Sequence, residues 1–145
     1  MAEQNKEGEV ETKNCKVVLI GQSGVGKTSI ISRYTTNTFK SSLMSTPGAN
    51  FITKTVFYEN EKVNIKFEIW DTAGQERYRA LAKQFYQKAT ACILVYDITD
   101  EKSFEEIKTF WVPELKDNAP QNISMLFYIN LCLFFSFFSP CLGWK

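Results

Sequence analysis

Apolar residues recur along this chain with two spacings, and the spacing changes at turns rich in glycine, asparagine and charge. CKVVLI, Cys15 to Ile20, is a short apolar run closed by Gly21 and predicts a buried strand. After GQSGVGKTS, Ile30, Ile31 and Tyr34 fall at helical spacing and predict one apolar helix face. NFITKTVFY, Asn50 to Tyr58, reads as a strand. VNIKFEIW, Val63 to Trp70, alternates, with Val63, Ile65, Phe67 and Ile69 on one side, and the ENEK between the two strands predicts an antiparallel hairpin. Leu81, Phe85, Tyr86 and Ala89 mark a second helix. ACILVYD, Ala91 to Asp97, is continuously apolar, as expected of a central parallel strand. Ser103 with Glu106 has the spacing of a capping box, and Phe104, Ile107, Trp111 and Leu115 follow at helical spacing. Pro113 lies inside that pattern and is expected to kink or shorten the helix, at about 3 kcal/mol if truly interior. Strands alternating with helices predict an α/β sheet with right-handed crossovers.

Length and charge narrow the function. The 145 residues suffice for one domain with a core. A net charge of +1, from 17 basic and 16 acidic side chains, argues against a nucleic-acid binder held by bulk charge. The four cysteines show no CxxC spacing and there is no histidine, so a zinc site is not expected. Cys15 and Cys92 sit in strand-like runs and read as buried thiols of a reducing cytosol. Residues 1–14 are polar, lack the apolar core of a secretory signal, and read as a flexible tail.

One stretch carries explicit chemistry. Gly21 to Thr28, GQSGVGKT, matches G-x-x-x-x-G-K-[ST] between a predicted strand and a predicted helix. Glycines let the backbone curl until successive N–H groups converge on phosphate oxygens, and the helix presents its positive end to the same anion. Lys27 then reaches the β- and γ-phosphates, and the Thr28 hydroxyl is a ligand for Mg²⁺. The competing reading, a glycine-rich turn with a chance lysine, does not explain the strand–loop–helix context. Such a loop alone does not separate ATP from GTP. Two apolar strands, FEIWD and CILVYD, end in an aspartate (Asp71 and Asp97) suited to Mg²⁺.

DTAGQE, Asp71 to Glu76, resembles the small GTPases. STPGANF before it, WDTAGQERY around it, YDIT (Tyr96 to Thr99) and SFEEI are similar to the Rab family, closest to its endosomal members. The resemblance covers about Cys15 to Ile123. It implies a P-loop NTPase three-layer α/β sandwich, mostly parallel with one antiparallel hairpin. It also implies a slow GTP-hydrolysing switch of vesicle traffic, with GTP/GDP and Mg²⁺ as cofactors. By that resemblance Ser23, Gly24, Val25, Gly26, Lys27, Thr28 and Ser29 wrap the phosphates. Asp71 holds Mg²⁺ through a water, and Thr46 adds a second hydroxyl ligand when the γ-phosphate is present. The Gly74 amide contacts the γ-phosphate, Gln75 orients the attacking water, and Phe39 covers the base edge-on. Phe51, Trp70 and Phe85 match the aromatic triad that effectors read, with plain core packing as the competing explanation. Exchange factors, activating proteins and effectors are the implied partners of a monomer at the cytosolic face of endomembranes. Pro47 departs from the family's usual isoleucine and restricts Thr46 to extended backbone. No arginine finger is apparent, so hydrolysis is expected to depend on an activating partner.

The pattern breaks near the end. In the family the next strand ends in Asn-Lys-x-Asp, which selects guanine. NISMLFYI supplies a strand and Asn130 the asparagine, but Leu131 and Leu133 replace the lysine and aspartate. Losing two charge-assisted bonds of about 1.5–3 kcal/mol each would weaken guanine binding roughly 10²–10⁴-fold. The last strand and final two helices have no counterpart, so the C-terminal part of the fold is expected to be missing. Between Asp117 and Lys145 no charged residue occurs, and five of the twelve phenylalanines fall there. The domain is therefore drawn as 15–122, with 123–145 as an atypical apolar tail. That tail has three readings: a 20-residue anchor from Ile123 to Leu142, core for its first seven or eight residues, or foreign text from an intron, alternative exon or frame error. The last is preferred. CLGWK is not a prenylation box, which leaves membrane association open. The alternative to a switch is a non-catalytic or membrane-tethered fragment without nucleotide activity.

Overall fold

The computed structural model of the chain describes residues 10–39, 46–74 and 79–130. They form a five-stranded sheet in the order β2-β3-β1-β4-β5. The strands are β1 (Thr12–Ile20), β2 (Ala49–Tyr58), β3 (Val63–Thr72), β4 (Ala91–Asp97) and β5 (Ser124–Asn130). β1 is central and runs parallel to β3 on one side and β4 on the other; β2 alone is antiparallel, as the hairpin partner of β3. β1 starts at Thr12, three residues before the expected boundary, because Thr12 to Asn14 pair with Asn64 to Lys66.

Alternate residues of the central strands feed two cores. Val18, Ile20, Cys92 and Leu94 point to one face, where Tyr86 of α2 (Arg79–Tyr86) and Ile107, Trp111 and Leu115 cover them. Val17, Leu19, Ile69 and Val95 point to the other, against Val25 and Ile31 of α1 (Lys27–Thr36) and the loop before it. Helices on both faces make the three-layer α/β sandwich of a P-loop protein. Tyr86 is fully buried, and its hydroxyl is satisfied by donating to Glu114 Oε1 at 2.5 Å.

Several local expectations are corrected. Tyr34 does not join the core: it is 45% exposed at the end of α1, with the Lys54 ammonium 3.9 Å from its ring centre. Ser103 does not cap its helix. α3 (Glu101–Glu106) begins after Asp100, whose carboxylate accepts from the Lys102 amide. Ser103 lies inside the helix, fully buried, with its hydroxyl accepting from the Asp97 amide and donating to the Asp100 carbonyl. Pro113 does not end the helix. A π-helical stretch (Ile107–Trp111) follows α3, and Val112 N–H reaches back to Ile107 O. Pro113 then falls in the first turn of α4 (Val112–Asn118), where a missing N–H is tolerated.

The boundary drawn at residue 122 also falls short. Ser124 to Asn130 pair in parallel with Ala91 to Asp97, so these seven residues beyond that boundary belong to the sheet. Because those residues are a strand, a helical membrane span beginning at Ile123 is not formed. Among the described residues no helix is long and apolar enough to cross a membrane.

Candidate functional site

The glycine loop leaves the carboxyl end of β1, where β3 and β4 lie on opposite sides of it. In an open α/β sheet this is where ligands bind. Gly21 is required there by space: a Cβ on it would sit 2.1 Å from the Val95 carbonyl oxygen, so the loop can cross β4 only without a side chain. Val25 is buried and anchors the loop, while Ser23 and Gly24 are exposed and Ser29 half-buried. Gly26 caps α1 in the left-handed region, at φ 93°, and the helix start has neither a side-chain cap nor an acidic residue in its first turn. The free amides and the positive end of the helix dipole are thus left facing the loop, an arrangement that suits an anion.

Lys27 crosses the mouth of that loop. It is only 5% exposed, and its ammonium donates to the Gly21 and Gln22 carbonyls, both at 2.7 Å. Burial lowers its pKa to about 8, against the opposing pull of Asp71 and Glu106. An ammonium held this way is pre-positioned and under-solvated, ready to gain from phosphate oxygens.

Thr28, Thr46 and Asp71 meet beside it. Thr28 Oγ1 donates to Asp71 Oδ2 at 2.6 Å, and the Thr46 hydroxyl lies 2.9 Å from Thr28 Oγ1 and 3.4 Å from the same carboxylate oxygen. Burial raises the Asp71 pKa, with the Thr28 hydroxyl, Lys27 and Thr46 opposing that rise. The second oxygen, Asp71 Oδ1, is buried without a hydrogen-bond partner. Among the described residues no group of three or more acidic or cysteine side chains could hold a cation. Two hydroxyls, one carboxylate and an orphaned buried oxygen instead fit a hard divalent ion that takes its remaining ligands from water or phosphate.

The neighbouring segments are tied to this point. Thr72 donates its hydroxyl to the Leu19 carbonyl at 2.6 Å, and the Ala73 amide donates to the Gly48 carbonyl at 2.7 Å. Gly74 lies against the loop itself: a Cβ there would be 2.4 Å from the Gln22 carbonyl carbon and from the Ser23 nitrogen. The structure therefore brings together Ser23, Gly26, Lys27, Thr28, Thr46, Asp71 and Gly74. Phe39 is 49% exposed. Gln75 lies outside the described residues, as do Leu131 and Leu133; Asn130 ends β5 in register with Asp97.

Phe51, Trp70 and Phe85 form one continuous aromatic run, with ring centres 5.0 and 5.2 Å apart. Trp70 and Phe85 pack on the core while Phe51 stays 49% exposed, so the group is both core and surface. The sequence reading passed over two participants. Gln22 supplies a carbonyl to Lys27, a backbone role that leaves no trace in residue type. Lys16 places its ammonium 5.0 Å from the Trp70 ring centre, which depends on strand pairing rather than on any motif.

Comparison with known proteins agrees with this geometry. Residues 16–132 match the model of the Ras family. The chain is 48% identical over 120 residues to Ras-related protein Rab-22A of Homo sapiens, covering 83% of this chain and 60% of that protein. It is 47% identical over 120 residues to Ras-related protein Rab-31 of Rattus norvegicus, with the same coverage. To Ras-related protein Rab-13 of Canis lupus familiaris it is 46% identical over 117 residues, 81% of this chain and 56% of the relative. The chain thus spans at most about 60% of the length of the curated relatives it matches. With its glycine loop, its hydroxyl–carboxylate cluster and its sheet order all in accord, the chain belongs to the Ras family, as a Rab-like small GTPase domain.

Proposed function

We propose that this chain binds GTP and GDP with Mg²⁺, hydrolyses GTP slowly, and acts as a nucleotide-dependent switch of vesicle traffic on the cytosolic face of endosomal membranes. One observation carries the reading: Thr28, Thr46 and Asp71, from three separate segments, converge within 3.4 Å of one another at the mouth of a loop built for phosphate. Ras-family proteins are GTPases, and the relatives carry Rab names, which supports the activity and the membrane assignment.

The roles follow from the donors. The amides of the loop and the start of α1 bind phosphate oxygens, with Lys27 adding charge. Thr28, Thr46 and Asp71 would hold Mg²⁺, which when bound neutralises charge on the phosphates. The Gly74 amide would bind the γ-phosphate, a reading supported by how closely Gly74 lies against Gln22 and Ser23 of the loop. Gln75 orients the water that attacks the γ-phosphorus as the bond to the β-phosphate oxygen breaks. Arg33 bonds Asn37 at the far end of α1, so it gives the loop no stabilising guanidinium. Phe39 covers the base, and Phe51, Trp70 and Phe85 offer effectors an aromatic surface coupled through Asp71 and Thr72 to the nucleotide. Exchange and activating proteins act on the same segments.

The test is a titration of the full chain with fluorescent GDP, competed by GTP, GDP and ATP in Mg²⁺. Guanine nucleotides displace the label at lower concentration than ATP, and replacing Leu133→Asp widens that gap. Failure of every nucleotide to bind would leave a non-catalytic module presenting its aromatic face, and equal competition by ATP before and after Leu133→Asp would remove the guanine assignment.

A further inference from the structure

Among the described side chains, those that hold α2 to the rest of the fold lie in its second half. Phe85 is half-buried against Trp70, and Tyr86 is completely enclosed in the core. The Tyr86 hydroxyl donates to Glu114 Oε1 of α4 at 2.5 Å, and the exposed Lys83 ammonium donates to Asn118 Oδ1 of the same helix at 2.7 Å. The Asn118 amide donates in turn to the Glu114 carbonyl at 3.3 Å, which joins the two acceptors. Burial first, and then Glu114, raise the Tyr86 pKa, so the hydroxyl remains a donor at neutral pH.

The acceptors reach α2 because of the π turn. Ser103, Ile107, Trp111 and Leu115 are all buried and stand four positions apart. An α-helix completes a turn in 3.6 residues, so each step of four overshoots by about 40°, and three steps would carry the stripe roughly 120° round. The wider turn at Ile107–Trp111 takes back part of that drift. Leu115 thus returns to the core, and Glu114 and Asn118, flanking it on the helix, come to face α2.

The span from Gly74 to Tyr86 is thereby fixed at both ends. At one, Gly74 lies against Gln22 and Ser23 of the phosphate loop. At the other, Tyr86 is bonded to α4. A phenylalanine ring would fill the same core space, so the hydroxyl adds direction to α2 rather than apolar burial.

We propose that Tyr86 and Glu114 are positioning residues for GTP hydrolysis: their bond sets the stance of α2, and with it how the span that starts at Gly74 stands against the phosphate loop. The proposal rests on the GTPase reading above. Neither residue belongs to the phosphate loop or to the cluster of Thr28, Thr46 and Asp71, so both act through α2.

The test loads the full chain with GTP and Mg²⁺, follows hydrolysis in a single turnover, and measures the affinities for GTP and GDP separately. Tyr86→Phe and Glu114→Ala should each slow hydrolysis at least about fivefold and leave both affinities within about twofold of the parent. Glu114→Gln keeps an acceptor oxygen and should hydrolyse within about twofold of the parent rate. The double variant should be no slower than either single one, because the same bond is lost in each. Lys108→Ala removes the exposed Lys108–Glu105 ion pair of the same helical stretch and should change neither quantity. Unaltered GDP affinity shows that a variant is folded, and the half-buried position of Glu114 keeps the test open if Tyr86→Phe does not fold. Parent-rate hydrolysis in both Tyr86→Phe and Glu114→Ala overturns the proposal and leaves the GTPase reading standing. So do losses that follow affinity one for one, or that add in the double variant, which assign the bond to stability alone. A parent chain that loads no guanine nucleotide, or loads GTP without hydrolysing it, removes the GTPase reading and this proposal with it.

Discussion

Thr28 Oγ1 donates to Asp71 Oδ2 across 2.6 Å, and these two residues stand 43 positions apart in the chain. With the Thr28 proton committed to the carboxylate, the Thr46 hydroxyl must be the donor in the 2.9 Å contact with Thr28. The segment before β2, the start of α1 and the end of β3 are therefore coupled through one carboxylate. A ligand that displaces either hydroxyl from Asp71 is felt in both segments flanking the β2–β3 hairpin.

That coupling separates the two threonines experimentally. Thr28→Val should weaken GDP and GTP alike, by about 10–100-fold, the equivalent of a lost bond to a charged group of about 1.5–3 kcal/mol. Thr46→Val should weaken GTP by at least about tenfold and leave GDP nearly unchanged, since its role depends on the γ-phosphate. Equilibrium titrations with both nucleotides decide the matter; equal losses at Thr46 would make it a structural hydroxyl.

The Lys27 ammonium gives a pH dependence with a definite sign. In the free protein it loses its proton near pH 8, and phosphates on the same side chain hold the proton to higher pH. Nucleotide binding above pH 8 should therefore take up protons, and affinity should fall as pH rises from about 7 to 9. The unliganded fold should respond oppositely: the unfolded chain binds more protons between pH 8 and 10.5, so stability from this group rises across that window. Calorimetry in buffers of different ionisation heat measures the uptake, and Lys27→Arg should abolish it.

How much of this was legible beforehand depended on the range of the interaction. The glycine loop, Lys27 and Thr28 lie within eight consecutive positions, so their geometry is encoded locally and visible in residue order. The strands could be read because their buried residues alternate or run together. Tyr34 failed because helical spacing marks a face without saying whether α1 reaches far enough over the sheet to cover its last turn. Ser103 failed because a buried serine and a capping serine share one spacing, and Asp100 took the cap. The π turn before Pro113 arises from packing and has no signature in residue order. β5 was seen as a strand, yet its charge-free continuation obscured that Ser124 to Asn130 complete the sheet.

Gly21→Ala tests the close approach of the loop to β4. A methyl group 2.1 Å from the Val95 carbonyl oxygen meets the backbone of β4, so relief requires moving the loop or the strand. A loss of about 3 kcal/mol in urea unfolding is expected, with nucleotide affinity falling alongside it. Unchanged stability would mean that the loop sits farther from β4.

Cys92 should be the inert thiol of the sheet. Burial raises its pKa to about 12, and the side chain is completely enclosed between β1, β4 and α2. At pH 8 its thiolate is about a thousandfold scarcer than that of an ordinary exposed thiol, whose pKa is 9.0. Iodoacetamide labelling of the native chain should modify half-buried Cys15 before Cys92, which it should reach only on unfolding, as peptide mapping would show.

The most direct test of the central claim is the release rate of fluorescent GDP from the full chain, measured with Mg²⁺ and again with excess EDTA. If Thr28, Thr46 and Asp71 form a cation site joined to the phosphate loop, EDTA should accelerate release at least tenfold, and Asp71→Ala should release quickly in both conditions. Identical rates with and without Mg²⁺ in the parent chain would contradict the account.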